Sequence, residues 1–80
     1  MAYFVYMLLC SDGSYYTGIT NHLTRRFLLH QAGRGAAYTR SHPPLRIVYS
    51  EEHPDKGCAL RREIELKKLS HQQKLALATL

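Results

Sequence analysis

Two tyrosines stand near the start of this 80-residue chain, Tyr6 in Phe4-Val5-Tyr6 and Tyr16 in Tyr16-Thr17-Gly18. Arg26 and His30 follow, spaced by one helical turn, and a lone carboxylate, Glu63, comes much later. A phenol, a guanidinium, an imidazole and a carboxylate are the parts needed to break a phosphodiester bond. A phenol or imidazole can move a water proton. A guanidinium can stabilise the charge that builds on phosphate oxygens. A carboxylate can hold a hard divalent cation. Each has an ordinary use as well: strand tyrosines pack sheets, and a histidine beside Leu23 and Phe27 commonly sits satisfied in a core.

Charge points the same way. The chain has 11 Lys and Arg against 6 Asp and Glu, a formal net charge of +5. From Gly13 to Ser50 there is no acidic residue, and the basic ones there are Arg25, Arg26, Arg34, Arg40 and Arg46. Arginine's planar fork grips phosphate oxygens bidentately, so an acid-free, arginine-only stretch points to nucleic acid. The longest apolar run, Tyr3 to Cys10, is too short to span a bilayer, so no membrane partner is expected. No signal-peptide pattern precedes it. Cys10 and Cys58 lie far apart and form no C-x-x-C pair; both read as small buried hydrophobes in a reducing, cytoplasmic setting. His22, His42, His53 and His71 show no ligand spacing. The length suits one domain over residues 1–80.

These groups must be positioned by a few short elements. Tyr3 to Cys10, apolar at odd and even positions alike, reads as a strand covered on both faces. Ser11-Asp12-Gly13 is a turn, and Ser14 to Thr20 returns as a second strand. Turn length decides the chemistry. A two-residue loop would make paired residue numbers sum to 25 and put Tyr6 and Tyr16 on opposite faces. A three-residue loop with Gly13 in the left-handed conformation makes the sum 24, sets Tyr6 opposite Gly18, and brings both phenols to one face.

Asn21 is the expected N-cap of a helix to about Gln31, stopped by Gly33. Arg26 and His30 share one sector of it, beside the stripe of Leu23 and Phe27. Gly33 to Pro44 reads as a loop, Leu45 to Glu52 as a third strand, and Asp55 caps a helix to about Leu69. Ser70 with Gln73 opens a last helix to Thr79 as a capping box. In the Asp55–Leu69 helix, Arg61, Glu65 and Lys68 define the wet side, and Ala59, Leu60, Ile64 and Leu66 the expected buried arc. Glu63 falls within that arc. A carboxylate there is costly unless it pairs, for example with Lys67 one turn on, or binds a metal.

Taken in order, Tyr6, Tyr16, Gly18, Arg26, His30 and Glu63, the last in Ala59-Leu60-Arg61-Arg62-Glu63, resemble the GIY-YIG nuclease superfamily. The segment Gly33-Arg34-Gly35-Ala36-Ala37-Tyr38-Thr39-Arg40 is similar to the Gly-rich stretch of its small stand-alone bacterial members, which are related to the N-terminal domain of the excision-repair nuclease subunit. Phe4-Val5-Tyr6 and Tyr16-Thr17-Gly18 replace the literal triplets, keeping the tyrosines and the glycine. Ile19, Thr20 and Asn21 stand where excision-repair and restriction members carry a lysine.

The resemblance implies an α+β fold, a small three-stranded, mainly antiparallel sheet flanked by helices in the order β-β-α-β-α-α. It implies metal-dependent endonuclease activity on DNA, structure-selective or weakly specific, in repair or recombination. In that reading Glu63 would hold one Mg²⁺ or Mn²⁺. Tyr6 would deprotonate the attacking water, Tyr16 would orient water or phosphate, Arg26 would clamp the phosphate, and His30 would assist the base or neutralise charge. Gly18 would be structural. Arg25, Arg34, Tyr38, Arg40 and Arg46 would bind the nucleic acid, and a protein partner would supply substrate specificity. A non-catalytic nucleic-acid-binding module and an RNA nuclease are the competing readings. Nothing in the chain resembles a sequence-reading element.

Overall fold

A computed structural model describes residues 2–79. Two strands come first, β1 (Tyr3–Cys10) and β2 (Tyr15–Thr20), then two helices, α1 (Leu23–Gln31) and α2 (Ala37–Ser41). Strand β3 (Pro44–His53) follows, and α3 (Lys56–Lys67) and α4 (His71–Ala78) close the chain. The fold is α+β, with one antiparallel sheet in the order β2-β1-β3.

The hairpin has the three-residue loop expected from its sequence. Gly13 takes φ +85°, Cys10 N–H donates to Ser14 O at 2.8 Å, and Gly13 N–H donates to Cys10 O at 3.0 Å. Tyr6 therefore pairs with Gly18 and Leu8 with Tyr16, so Tyr6, Leu8, Tyr16 and Gly18 share one face of the sheet. Val5, Met7, Thr17 and Ile19 take the other. Val5, Tyr6, Met7 and Leu8 are all buried, as the unbroken apolar run of β1 requires. Ala59 and Leu66 of α3 pack on the Val5 face, with Ile19, Tyr49 and Leu77 around them. Complete burial of an aliphatic side chain of this kind contributes about 1.5–3 kcal/mol.

Pairing of β1 with β3 shifts register between Met7 and Leu8. Tyr49 sits opposite Met7 but Ile47 sits opposite Leu8, so the irregularity sends these two odd-numbered side chains to opposite faces. On the α3 side, Glu51 of β3 accepts from Arg62 Nε at 2.7 Å and ties strand to helix.

Several sequence expectations are corrected. His22, not Asn21, caps α1: its Nδ1 accepts from Arg25 N–H at 3.3 Å, and its own N–H is held by Thr20 Oγ1 at 3.1 Å, which moves the helix start on by one residue. The other end is as expected. Gly33, at φ +76°, donates to His30 O at 3.1 Å while Arg34 N–H reaches Leu29 O at 2.9 Å, a Schellman closure. Residues 33–44 are not all loop, because α2 forms inside them. Five residues are too few to show a helical apolar stripe, and the flanking glycines and prolines masked it. β3 extends one residue beyond its expected span at each end, and α3 ends at Lys67 rather than Leu69.

On α3 the buried side is narrower than expected. Leu60 and Ile64 are 39% and 55% exposed, while Ala59 and Leu66 are buried with Glu63 between them. The small Ala59 faces the sheet, which turns Leu60 and Ile64 outward. Cys58 is half-buried, not buried: it lies in the first turn of α3, where its Sγ accepts from Arg61 Nη2 at 3.2 Å.

Candidate active site

Central strand β1 delivers Tyr6 into the space beneath α1, where it is 2% exposed. Its Oη lies 2.8 Å from His30 Nε2. Gly18, directly opposite, makes the room: a Cβ there would lie 2.6 Å from Tyr6 Oη and 2.8 Å from its Cζ. Tyr16 flanks both partners, with ring centroids 6.5 Å from Tyr6 and 5.0 Å from His30.

Helix α1 supplies Arg26 and His30 one turn apart, and the segment after it fixes both. Arg26 Nη2 donates to Gly35 O at 2.9 Å, while its Nε is buried with no partner among the described residues. His30 is fully buried, and its Nδ1 lies 2.7 Å from Thr39 Oγ1. Thr39 Oγ1 in turn donates to Ala36 O at 3.2 Å. The imidazole lies so close over Gly35 that a Cβ there would overlap the ring.

Burial decides the protonation states. Withdrawal from water pushes the Tyr6 phenol up to about 12; Arg26 beside it pulls the other way, and the charges of Tyr16 and Glu63 push it further up. Burial, assisted by the Arg26 charge, pushes His30 down to about 4. At neutral pH the pair is therefore a neutral phenol on a neutral imidazole.

Glu63 belongs to the same neighbourhood, since its charge is felt at Tyr6. Its side chain is 16% exposed, and Oε2 lies 3.5 Å from Lys67 Nζ. Pairing with Lys67, the plainer alternative, is thus present. No cluster of three or more His, Cys, Asp or Glu is found among the described residues. A carboxylate is a hard oxygen donor. That fits Mg²⁺ or Mn²⁺, which keep several waters and use one or two carboxylates beside a substrate phosphate.

Beyond this centre, Thr20, Asn21, His22, Arg25, Arg26 and Leu29 line an open groove of about 250 Å³, so Arg25 shares a wall with Arg26. Tyr38, on α2, stacks on His42 at 4.2 Å and 12° and on Tyr16 at 6.1 Å and 24°; its Oη donates to Ser14 Oγ at 2.6 Å. Arg34 and Arg40 are exposed on the segment that closes over α1. Arg46 is exposed opposite Leu9, at the hairpin end of the sheet. The structure thus gathers Tyr6, Tyr16, Gly18, Arg26 and His30 tightly, with Tyr38 stacked on Tyr16 and Glu63 linked to them only through its charge, and leaves Arg25, Arg34, Arg40 and Arg46 outside the cluster. Gly35 and Thr39 received no individual role from the sequence. The only signal was the Gly-rich segment containing both, because a contact nine residues from His30 follows no helical or strand period.

Paired phenols over a glycine, arginine and histidine of the first helix against them, and a glutamate on the third helix are carried on an α+β scaffold. The GIY-YIG catalytic domain model matches residues 2–76, and the chain belongs to that family. Membership implies nuclease-type activity. A UPF0213 protein of Xanthomonas axonopodis pv. citri is 51% identical over 72 residues, covering 90% of this chain and 71% of the relative. A UPF0213 protein of Streptococcus sanguinis is 48% identical over 73 residues, covering 91% and 84%. Among solved structures, the solution structure of a UPF0213 protein of Bacillus halodurans is 44% identical, with a TM-score of 0.61 over 99% of this chain and 84% of that one. A protein of E. faecalis, also solved by NMR, is 36% identical, with a TM-score of 0.62 over 92% and 79%.

Proposed function

We propose that this protein is a metal-dependent endonuclease that hydrolyses phosphodiester bonds of DNA, without a strict recognition sequence, in cytoplasmic repair or recombination. The observation that carries this reading is the buried 2.8 Å contact between Tyr6 Oη and a neutral His30. Any buried phenol needs a hydrogen-bond partner, but a neutral imidazole whose other nitrogen meets Thr39 is one that can also take the phenol's proton.

The attacking water gives its proton to Tyr6 Oη while Tyr6 passes its own proton to His30 Nε2. The hydroxide so formed attacks phosphorus, the P–O bond on the far side breaks, the leaving oxygen takes a proton from solvent, and His30 afterwards returns its proton to solvent. Transfer within the pair alone, without the water, would create phenolate and imidazolium. With pKa values of about 12 and about 4 this lies on the order of 10 kcal/mol uphill. A free phenolate is thus excluded, so Tyr6 gives up its proton only as it takes the one from the water.

Arg26 stabilises the extra charge on the phosphate oxygens, its guanidinium oriented by the bond from Nη2 to Gly35 O. Tyr16 orients water or phosphate. Glu63 would hold the Mg²⁺ or Mn²⁺, which supplies Lewis acidity to the scissile phosphate. Arg25, Arg34, Arg40 and Arg46 bind flanking phosphates, and the Tyr38 ring offers a stacking face beside them. A protein partner would narrow the choice of substrate.

The test is incubation with flap, junction, single-stranded and duplex DNA and with RNA, with and without Mn²⁺, for the parent and Glu63→Gln. Metal-dependent cleavage of DNA is expected. Glu63→Gln should lower it by about 10²-fold or more, with metal-free affinity unchanged and stability altered by about 0.5 kcal/mol, the worth of an i,i+4 pair. Undiminished cleavage by Glu63→Gln overturns the metal assignment. No cleavage by the parent favours a binding module, and cleavage of RNA alone favours an RNA nuclease.

A further inference from the structure

We propose that Thr39 is a positioning residue of this site: its hydroxyl holds His30 as the Nδ1–H tautomer, so that Nε2 offers its lone pair to the Tyr6 phenol. The inference deepens the proposed function, since it concerns how His30 accepts the proton there, but the tautomer itself is a property of the protein without substrate.

The argument is one of donors and acceptors along a buried line. Tyr6 Oη, His30 Nε2, His30 Nδ1, Thr39 Oγ1 and Ala36 O follow in sequence, with separations of 2.8 Å, 2.7 Å and 3.2 Å across the three gaps. His30 and Thr39 are 0% and 1% exposed, so water does not compete for the imidazole nitrogens or the Thr39 hydroxyl. The line ends in a carbonyl, which only accepts. That carbonyl also takes Arg40 N–H at 3.1 Å, and its two lone pairs allow both bonds.

Thr39 has one hydroxyl proton. If it goes to Ala36 O, then Thr39 Oγ1 must accept from Nδ1–H, Nε2 is bare, and Tyr6 donates to it. All three gaps are then bonded. In the reverse sense Thr39 donates to Nδ1 and Nε2–H donates to Tyr6. The contact with Ala36 O is then lost, and the proton of a phenol that is 2% exposed has no acceptor along the line. One sense makes three bonds and the other two, and an unmet buried donor adds its own penalty. The end of the line therefore sets its direction. Thr39 is the link through which a backbone carbonyl specifies which nitrogen of His30 is basic.

Gly35 serves the same end from the other side. Its carbonyl holds Arg26, and the absence of a side chain lets the imidazole lie flush against the segment that carries Thr39. The link from Gly35 to Thr39 thus sets the orientation of both α1 groups, although neither residue need touch substrate.

The experiment is long-range ¹H–¹⁵N correlation NMR of the ¹⁵N-labelled full chain at neutral pH, which distinguishes the two tautomers of a neutral imidazole. Parent His30 should be in the Nδ1–H form. Thr39→Val, which keeps the shape and removes the hydroxyl, should show a mixed or Nε2–H imidazole, and Thr39→Ser should restore Nδ1–H. On whichever nucleic-acid substrate the parent cleaves, kcat of Thr39→Val should fall about 10- to 100-fold, part of the 10²–10⁴ that positioned proton transfer contributes. KM should be unchanged, and Thr39→Ser should stay within about threefold of the parent.

A parent His30 in the Nε2–H form overturns the proposal, and that measurement needs no variant to fold. An Nδ1–H tautomer unchanged in a folded Thr39→Val overturns it too. If the parent cleaves nothing, the nuclease reading fails, while the tautomer spectra still decide the role of Thr39.

Discussion

Gly18 makes room for the Tyr6 phenol by lacking a side chain. A Cβ at this position would press on the phenol oxygen of Tyr6 and on the edge of Tyr16 at 3.2 Å, and Tyr6 is enclosed on a central strand. Gly18→Ala is expected to drive Tyr6 away from His30. Overpacking of this kind costs about 1–3 kcal/mol, and loss of the relay should lower cleavage by about 10²-fold. Urea unfolding and single-turnover cleavage measure the two effects. A Gly18→Ala variant with parental stability and rate would show that the phenol needs no such space. Arg26 is held differently: Nη2 donates to Gly35 O at 2.9 Å, and Nε is enclosed without a partner among the described residues.

The element that matters most is the β1–β2 hairpin, because its parity decides whether there is a site at all. Side chains alternate with period two, so a loop shorter by one residue would send Tyr16 to the α3 side. Gly13 at φ +85° makes the three-residue loop affordable, and Asp12 Oδ1 braces it by accepting from Ser14 N–H at 3.1 Å. Gly13→Ala should destabilise by about 1–2 kcal/mol, the cost of the left-handed region for a residue with a Cβ. Register should survive, because a one-residue slip would set Thr17 or Ile19 against the Tyr6 ring, where only a glycine fits. Thermal unfolding reads the first effect and cross-strand contacts between Tyr6 and Gly18 in NMR spectra the second. Loss of those contacts would show that the turn, not the buried alternation, holds the register.

For the whole molecule the buried pair sets the pH limits. His30 is depressed from 6.5 to about 4 in the fold, so the unfolded chain binds more protons between those values. Stability is complete above pH 6.5 and falls as pH drops toward 4, by on the order of 3 kcal/mol. Tyr6 is raised from 10.0 to about 12, so its contribution is complete below pH 10 and is lost as pH rises toward 12. Denaturant melts across pH should show both slopes, and His30→Gln should remove the step between pH 6.5 and 4. A parental profile flat from pH 6.5 to 4 would mean that His30 is not held neutral.

Charge sets a second global property. Arg25, Arg34, Arg40 and Arg46 are all exposed, in a stretch that contains no carboxylate. Binding to nucleic acid should weaken steeply with salt. Arg34→Ala or Arg40→Ala should reduce affinity alike on all sequences and flatten the salt slope by about one. Titrations at several salt concentrations test this, and affinity indifferent to salt would exclude a phosphate-based interface.

Much of this protein was determined by local sequence. The apolar run of Tyr3–Cys10, the turn chemistry around Gly13 and the parity between Tyr6 and Tyr16 are settled by forces that act between near neighbours or across one hairpin. So are the capping box at Ser70 and the helical spacing of Arg26 and His30. Other features belong to the docking of elements. α2 is too short to announce itself, His22 displaces Asn21 as cap because Thr20 holds its amide, and α3 turns Leu60 and Ile64 outward to lay Ala59 against the sheet. The partnership of His30 with Thr39 and Gly35 arises only when the segment after α1 folds back over it. Such contacts carry no period along the chain, so only the tertiary structure could decide which hydroxyl would face the histidine.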